Sequence, residues 1–172
     1  MKTIKRIQFE RITTTDYFND YLRIKSDSQA VAWSGFDTPP DSLYLKSYFE
    51  NLIISDRKVY FLIIDETPVG YCQFSINEEG ICELDGYSVL SEYGGHGYGY
   101  LMIIMLLFIL ESENQQGIIA WVSENNHSSL RCLEKSGFSI LSNHEKYVEL
   151  KAFHRKDRFI AMYRPISCKI RK

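Results

Sequence analysis

Short apolar runs alternate with polar breaks along the chain, and the period within each run separates strands from helices. Thr3–Arg11 sets Ile4, Arg6 and Gln8 against Lys5, Ile7 and Phe9, which predicts an opening strand whose inner face is undecided. Thr13-Thr14-Thr15-Asp16 offers capping side chains before Tyr17–Lys25, and Pro39-Pro40-Asp41-Ser42 stops one segment and caps the next, Leu43–Ile54. Two short helices are expected, joined by the irregular link Trp33-Ser34-Gly35-Phe36-Asp37-Thr38-Pro39-Pro40. Lys58–Asp65 and Val69–Ile76 flank Glu66-Thr67-Pro68, and Ile81–Leu90 follows the turn Asn77-Glu78-Glu79-Gly80, so the three read as an antiparallel meander. A helix at Tyr98–Glu113 leads to the apolar strand Gly117–Ser123, which a helical crossover makes parallel to Ile81–Leu90. After a helix at Asn126–Ser136 and an extended segment at Phe138–Asn143, Lys146–Phe153 and Arg158–Arg164 flank His154-Arg155-Lys156-Asp157 as a closing hairpin. The order β-α-α-β-β-β-α-β-α-β-β predicts an α/β fold on a mixed, largely antiparallel sheet with one parallel pair.

Composition narrows the picture. In 172 residues, 45% of them hydrophobic and 14% aromatic, there is apolar material for one core, so residues 1–172 are expected to form a single domain. A net charge of −2 leaves no broad basic face, which argues against nucleic acid as a partner. MKTIKRIQFE lacks the apolar stretch of a signal peptide, and Leu101–Leu110 is half the ~20 residues a bilayer span requires, so a cytoplasmic protein without a membrane partner is expected. Cys72, Cys82, Cys132 and Cys168 are scattered, with no C-x-x-C pair and no His in ligand spacing; they are expected to be buried free thiols, and no metal is expected.

The candidate chemistry centres on Glu92–Leu110, where Gly94, Gly95, Gly97 and Gly99 give way to an apolar run. Glycines free the backbone to turn its N–H groups inward, and the helix start adds about half a positive charge, so the segment suits a pyrophosphate. It is not a P-loop, since no Lys-Ser or Lys-Thr follows the glycines. It is not a dinucleotide fingerprint either, because Gly94-x-x-Gly97-x-Gly99 has the wrong order and lies mid-chain.

Val89-Leu90-Ser91-Glu92-Tyr93-Gly94-Gly95-His96-Gly97-Tyr98-Gly99 resembles the acyl-CoA loop of the GCN5-related N-acetyltransferase family, Arg/Gln-x-x-Gly-x-Gly/Ala after Val-x-Pro-Glu-Tyr. Two positions depart from it: Gly94 stands where the family has Arg or Gln, and Ser91 where it often has Pro. Asn126-His127-Ser128-Ser129-Leu130-Arg131-Cys132-Leu133-Glu134-Lys135-Ser136-Gly137-Phe138 resembles the family's second motif, Asn-x-x-(Ala/Ser)-x-x-x-x-Glu-Lys-x-Gly-Phe, with some likeness to the branch that acetylates ribosomal-protein N-termini.

The resemblance implies acetyl transfer from acetyl-CoA to a primary amine, with no metal. It implies cofactor binding by Tyr87, Ser88 and Val89 at the end of the meander's last strand, by Gly94, Gly95, His96, Gly97, Tyr98, Gly99 and Tyr100, and by Asn126 and Ser129. Aligned on the glycine loop, Glu83 falls where histone-acetylating relatives carry a general-base glutamate. Strand parity puts Glu83, Asp85 and Tyr87 on one face, where two carboxylates attract a cationic amine and one accepts its proton. Leu133 stands at the position of the tyrosine that protonates the departing thiolate in many relatives, which brings in Ser129, Tyr98 or a water. Trp33, Phe36 and Tyr44 are expected to wall the acceptor site, favouring a small amine such as an amino sugar, an aminoglycoside or a polyamine. The alternatives are a protein N-terminus as acceptor or a non-catalytic acyl-CoA sensor, and the chain is compatible with a homodimer.

Overall fold

The computed structural model describes residues 6–34, 37–141 and 159–166. Among them, β1 (Ile7–Ile12), β2 (Lys58–Ile64), β3 (Thr67–Ile76), β4 (Ile81–Val89), β5 (Gly117–Ser123), β6 (Ser139–Ile140) and β7 (Phe159–Pro165) form one sheet in the order β1-β2-β3-β4-β5-β7-β6. The neighbours pair antiparallel except β4 and β5, which run parallel, as a helical crossover requires. The expected fold class and the parallel pair are thus present. Of the predicted closing hairpin, Lys146–Phe153 lies outside the described residues; the second arm is β7, inserted between β5 and β6.

The turns follow side-chain chemistry. The β2–β3 hairpin turns at Asp65 and Glu66, with φ of 47° and 69°, rather than at Glu66-Thr67-Pro68, because two left-handed residues match the twist of the strands. Asp65 accepts a hydrogen bond from the Arg6 amide at 2.9 Å, which holds the turn against the start of β1. At the β3–β4 turn, Asn77 Oδ1 accepts from the amides of Glu79 and Ile81, and Gly80 supplies a φ of 73°.

Three helices rather than two precede β2: α1 (Phe18–Lys25), α2 (Ser28–Ser34) and α3 (Ser42–Ile54). Trp33 therefore ends a helix instead of sitting in an irregular link. Asp41 caps α3 as expected, accepting from the Tyr44 amide at 2.8 Å. Of these, α1 and α3 pack on one face of the sheet, where Tyr21, Ile24, Phe49 and Leu52 meet Val59, Phe61, Ile63 and Tyr71. On the other face, α4 (Tyr98–Ser112) and α5 (His127–Lys135) meet Tyr60, Cys72, Phe74, Cys82 and Leu84. In α4, Met102, Ile103, Leu106, Leu107 and Leu110 form the inner stripe, and each buried side chain of this size contributes roughly 1.5–3 kcal/mol. Among the described residues no helix is long and apolar enough to cross a membrane.

Two irregularities in β4 position the site. Against β3, Gln73 pairs with Gly86 but Phe74 pairs with Leu84, so Asp85 is an extra residue in a bulge. Against β5, pairing ends at Leu84–Ala120, although β4 continues to Val89. Beyond that point β5 pairs with β7 alone on the described side, and the two parallel strands part.

Candidate active site

The glycine loop begins with a tight 3-10 turn, Ser91–Tyr93, closed by a bond of 2.9 Å from the Gly94 amide to the Ser91 carbonyl. A Cβ on Gly94 would lie 2.9 Å from that same carbonyl oxygen, so an arginine or glutamine here requires the turn to open. The departure at Gly94 therefore has a local steric cause. The one at Ser91 has a polar cause: its amide and hydroxyl both donate to Asp27 Oδ2, at 3.1 and 2.8 Å, and proline lacks the amide proton. Burial by itself raises the Asp27 pKa, but the hydrogen bonds from Ser91 and from the amides of Gln29 and Ala30 outweigh it and hold the carboxyl below its ordinary value.

Gly95 and Gly97 have φ of 74° and 81°, and a Cβ built on either meets nothing within 4 Å. Their faces are open to an incoming group. Gly97 is also the N-cap of α4, and no side chain caps it, so the amides of the first turn are left for water or a ligand. His96 Nδ1 lies 2.8 Å from the Gly94 carbonyl, and its ring stacks on Tyr98 at 6.0 Å. These features fit a pyrophosphate cradle built from backbone.

On β4, the Leu90 amide donates to the Val69 carbonyl across to β3 at 2.8 Å. Alternation then turns the Ser88 backbone toward β3 and the backbones of Tyr87 and Val89 toward the gap left by β5. Free peptide groups along a parted strand suit an extended, amide-containing arm such as pantetheine. Asn126 caps α5, accepting from the Ser129 amide at 3.1 Å.

The bulge at Asp85 corrects one expectation. Glu83 pairs with Ser75, two residues from Gln73, whose side chain bonds Tyr21 and Tyr48 on the side of α1 and α3. Tyr87 pairs with Cys72 and packs on the α4 side. Glu83 and Tyr87 thus occupy opposite faces, since the extra residue shifts parity. Gly86, a glycine inside a strand pattern, was the signal available in the sequence.

On the α1–α3 side, Asp85 faces Arg57, with Nε 3.7 Å from Oδ2. Arg57 also donates to the Tyr48 hydroxyl at 3.2 Å, Gln73 Nε2 donates to the same oxygen at 2.7 Å, and the Tyr21 hydroxyl donates to Gln73 Oε1 at 2.9 Å. This network ties the bulge to α1 and α3. Trp33 and Tyr44 are 40% and 69% exposed, on α2 and at the start of α3, where they are open to a ligand. Phe36 lies outside the described residues.

On the α4–α5 side, the Tyr87 hydroxyl lies 2.6 Å from Ser129 Oγ. Leu133 is fully buried and offers no polar group. Cys72 and Cys82 are buried, and burial pushes both thiols up. Cys132 is only partly buried, contrary to expectation, and what burial it has pushes its thiol up as well. Cys168 lies outside the described residues.

Comparison with known proteins agrees with this geometry. The sequence model of the Acetyltransferase (GNAT) family matches residues 15–138. The chain belongs to that family. It is an acetyl-CoA-dependent N-acetyltransferase. No curated protein matches it in sequence. Among solved structures, spermidine N-acetyltransferase from Vibrio cholerae, in complex with CoA and spermine, is 13% identical with a TM-score of 0.76, covering 93% of this chain and 95% of that one. AAC(6')-Ib in complex with paromomycin and acetyl-CoA is 16% identical with a TM-score of 0.74, covering 96% and 98%. Ribosomal-protein-S18-alanine N-acetyltransferase from Escherichia coli is 16% identical with a TM-score of 0.72, covering 94% and 95%. At these identities the likeness is one of fold.

Proposed function

We propose that this GNAT enzyme acetylates the primary amine of a small molecule of the amino-sugar, aminoglycoside or polyamine type. The observation that carries the reading is the acidic pair on β4, Glu83 and Asp85, set at the last β4–β5 pairs on the face of the sheet that α1–α3 cover. A free alkyl amine has a pKa of about 10.4 and arrives protonated, so a carboxylate must first attract it and then take its proton. Asp85, which already faces Arg57, serves as the electrostatic anchor. Glu83, part-buried between Ser75 and Ile119, serves as the base.

Acetyl-CoA supplies the activated acetyl group. The amides of Gly95–Gly99 hold its pyrophosphate, with Gly94, His96, Tyr98 and Tyr100 framing the cradle, and Tyr87, Val89 and Asn126 line the arm, while the Ser88 backbone, expected there too, is turned toward β3. A backbone amide of the parted strand hydrogen-bonds the acetyl carbonyl as negative charge develops on oxygen. Ser129 donates a hydrogen bond to the departing sulfur, whose conjugate thiol has a pKa of about 8.5 and leaves readily. Trp33 and Tyr44 give a flat or sugar-like body apolar contact. The spermine and paromomycin bound to two enzymes of the same fold are amines of the proposed class.

The test is thiol release by the purified protein with acetyl-CoA and a panel of amino sugars, aminoglycosides, polyamines and short peptides. Turnover is expected with one or more of the small amines. Acetylation of peptide N-termini alone overturns the small-molecule reading, and cofactor binding without turnover on any amine points to an acyl-CoA sensor.

A further inference from the structure

Tyr87 enters the reading above only through its backbone, yet its side chain makes one of the shortest polar contacts in the site, 2.6 Å from its hydroxyl to Ser129 Oγ. We propose that Tyr87 is a positioning residue that donates its hydroxyl proton to Ser129 Oγ and so turns the serine's own O–H toward the departing sulfur. The inference rests on the proposed amine acetylation and adds to it a residue that governs leaving-group departure.

Four observations converge on it. Tyr87 lies just past Leu84–Ala120, the last pair before β4 and β5 part, so its ring forms the wall between the gap and α5. The ring is held on the α4–α5 side by the core cluster and lies 3.8 Å from where a Cβ on Gly99 would be, which ties it to the helix that the glycine loop opens. The Ser129 amide is already engaged by Asn126, so the cap fixes the serine backbone and leaves only its hydroxyl to be oriented. Leu133, one turn further along α5, is fully buried and carries no donor.

The direction of the Tyr87–Ser129 bond follows from chemistry. A phenol is a better donor and a poorer acceptor than an aliphatic hydroxyl, because its oxygen lone pair is partly delocalised into the ring. The favoured donation therefore runs from Tyr87 to Ser129, and it leaves the serine's own hydroxyl proton to be directed elsewhere. Burial raises the Tyr87 pKa well above its ordinary value, so the phenol keeps its proton throughout and is not itself the acid.

The reaction balances with Glu83 and solvent alone. Glu83 takes one proton from the bound ammonium and passes it to water; the C–N bond then forms as the neutral amine nitrogen attacks the acetyl carbon, and the nitrogen's second proton passes to the same carboxylate. The C–S bond breaks and its electron pair stays on sulfur, where the Ser129 O–H meets it. Sulfur then takes a proton from water after release.

The test is a double-mutant cycle on kcat with Ser129→Ala, Tyr87→Phe and the double variant, using whichever amine the parent acetylates. Each single variant is expected to lower kcat ~10-fold or more, the worth of a hydrogen bond to a charged group, with the calorimetric Kd for acetyl-CoA unchanged. The double variant is expected to fall within ~2-fold of Ser129→Ala, since the tyrosine acts only through the serine. Losses that multiply, or a Tyr87→Phe defect confined to acetyl-CoA affinity and Tm, reduce Tyr87 to a packing residue and overturn the proposal. A full-rate Ser129→Ala enzyme overturns it whatever Tyr87→Phe does, including a failure to fold. Either result leaves the parent's acetylation of the amine, and so the proposed function, standing.

Discussion

The two faces of β4 are built by different means. On the α4–α5 side the site is mostly backbone: amides at a helix start without a capping side chain, glycines with open faces, and peptide groups along a strand whose parallel partner has parted. On the α1–α3 side it is mostly side chain: Glu83, the bulged Asp85 with Arg57, and a relay of Tyr48, Gln73 and Tyr21 that runs from the surface inward. On the proposed function the backbone side meets a part of the donor that never varies, whereas the side-chain side is free to change with the acceptor, a division that suits a scaffold serving many amines.

The sharpest way to break that division is on the acceptor side. Glu83→Gln keeps the shape of the side chain and removes the proposed base, so kcat is expected to fall ~100–10,000-fold while the Kd for acetyl-CoA stays put. Steady-state rates and calorimetry on the same preparation check both halves. A variant that keeps the parent rate from about pH 6 to pH 9 transfers the role to Asp85 or to water.

The matching experiment on the donor side is Gly97→Val. At a φ of 81° a β-branched residue is strained by ~1–3 kcal/mol, and its methyls would enter the open face of the cradle. Acetyl-CoA affinity is expected to fall about 5–100-fold by calorimetry if that strain is released only by reshaping the loop. Unchanged affinity would detach the cradle from the cofactor.

The same contrast explains what could be read from the sequence. Glycine spacing, the Asn126 and Asp41 caps and the apolar run of α4 are local, so the loop, the starts of α3, α4 and α5 and the parallel crossover were legible. The capping expected of Thr13-Thr14-Thr15-Asp16 is absent, since α1 follows a 3-10 turn and neither start has a side-chain cap. The Asp85 bulge was not, because it arises from pairing with β3; with parity assumed unbroken, Tyr87 was put on the wrong face. Gly86 marked the spot, but a glycine in a strand does not say how many residues the bulge inserts. Helix α2 was missed because its seven residues, Ser28–Ser34, carry no buried stripe to set a period. Asp27 and Arg57 were missed for a plainer reason: their partners, Ser91 and Asp85, are distant in sequence.

Trp33→Ala sharpens the comparison at smaller amplitude. Trp33 is 40% exposed at the end of α2, so losing a partly solvated aromatic contact of ~0.5–1 kcal/mol is expected to raise the acceptor's KM about 2- to 5-fold. Acetyl-CoA binding should be unaffected. An equal loss for both substrates would show that Trp33 supports the fold and not the acceptor.

The least effect is expected where the two halves meet. Asp27 belongs to the α1–α2 junction and Ser91 to the glycine loop, and their two hydrogen bonds join the acceptor side to the cradle. Because the folded state holds the Asp27 carboxyl below its ordinary pKa, its ionised form contributes stability that is fully present above the unfolded value, about 3.9. That contribution is lost as the pH falls through the lower, folded value. The pair is largely exposed, so screening keeps the effect to roughly 1 kcal/mol or less. Urea unfolding of the parent and of Asp27→Asn, compared over a pH series, should give a constant gap above about pH 5 that closes as the solution is acidified below the ordinary carboxylate range. A gap that persists unchanged in acid would mean that the amide fails for reasons of shape, and that the charge of Asp27 does not hold the two sides together.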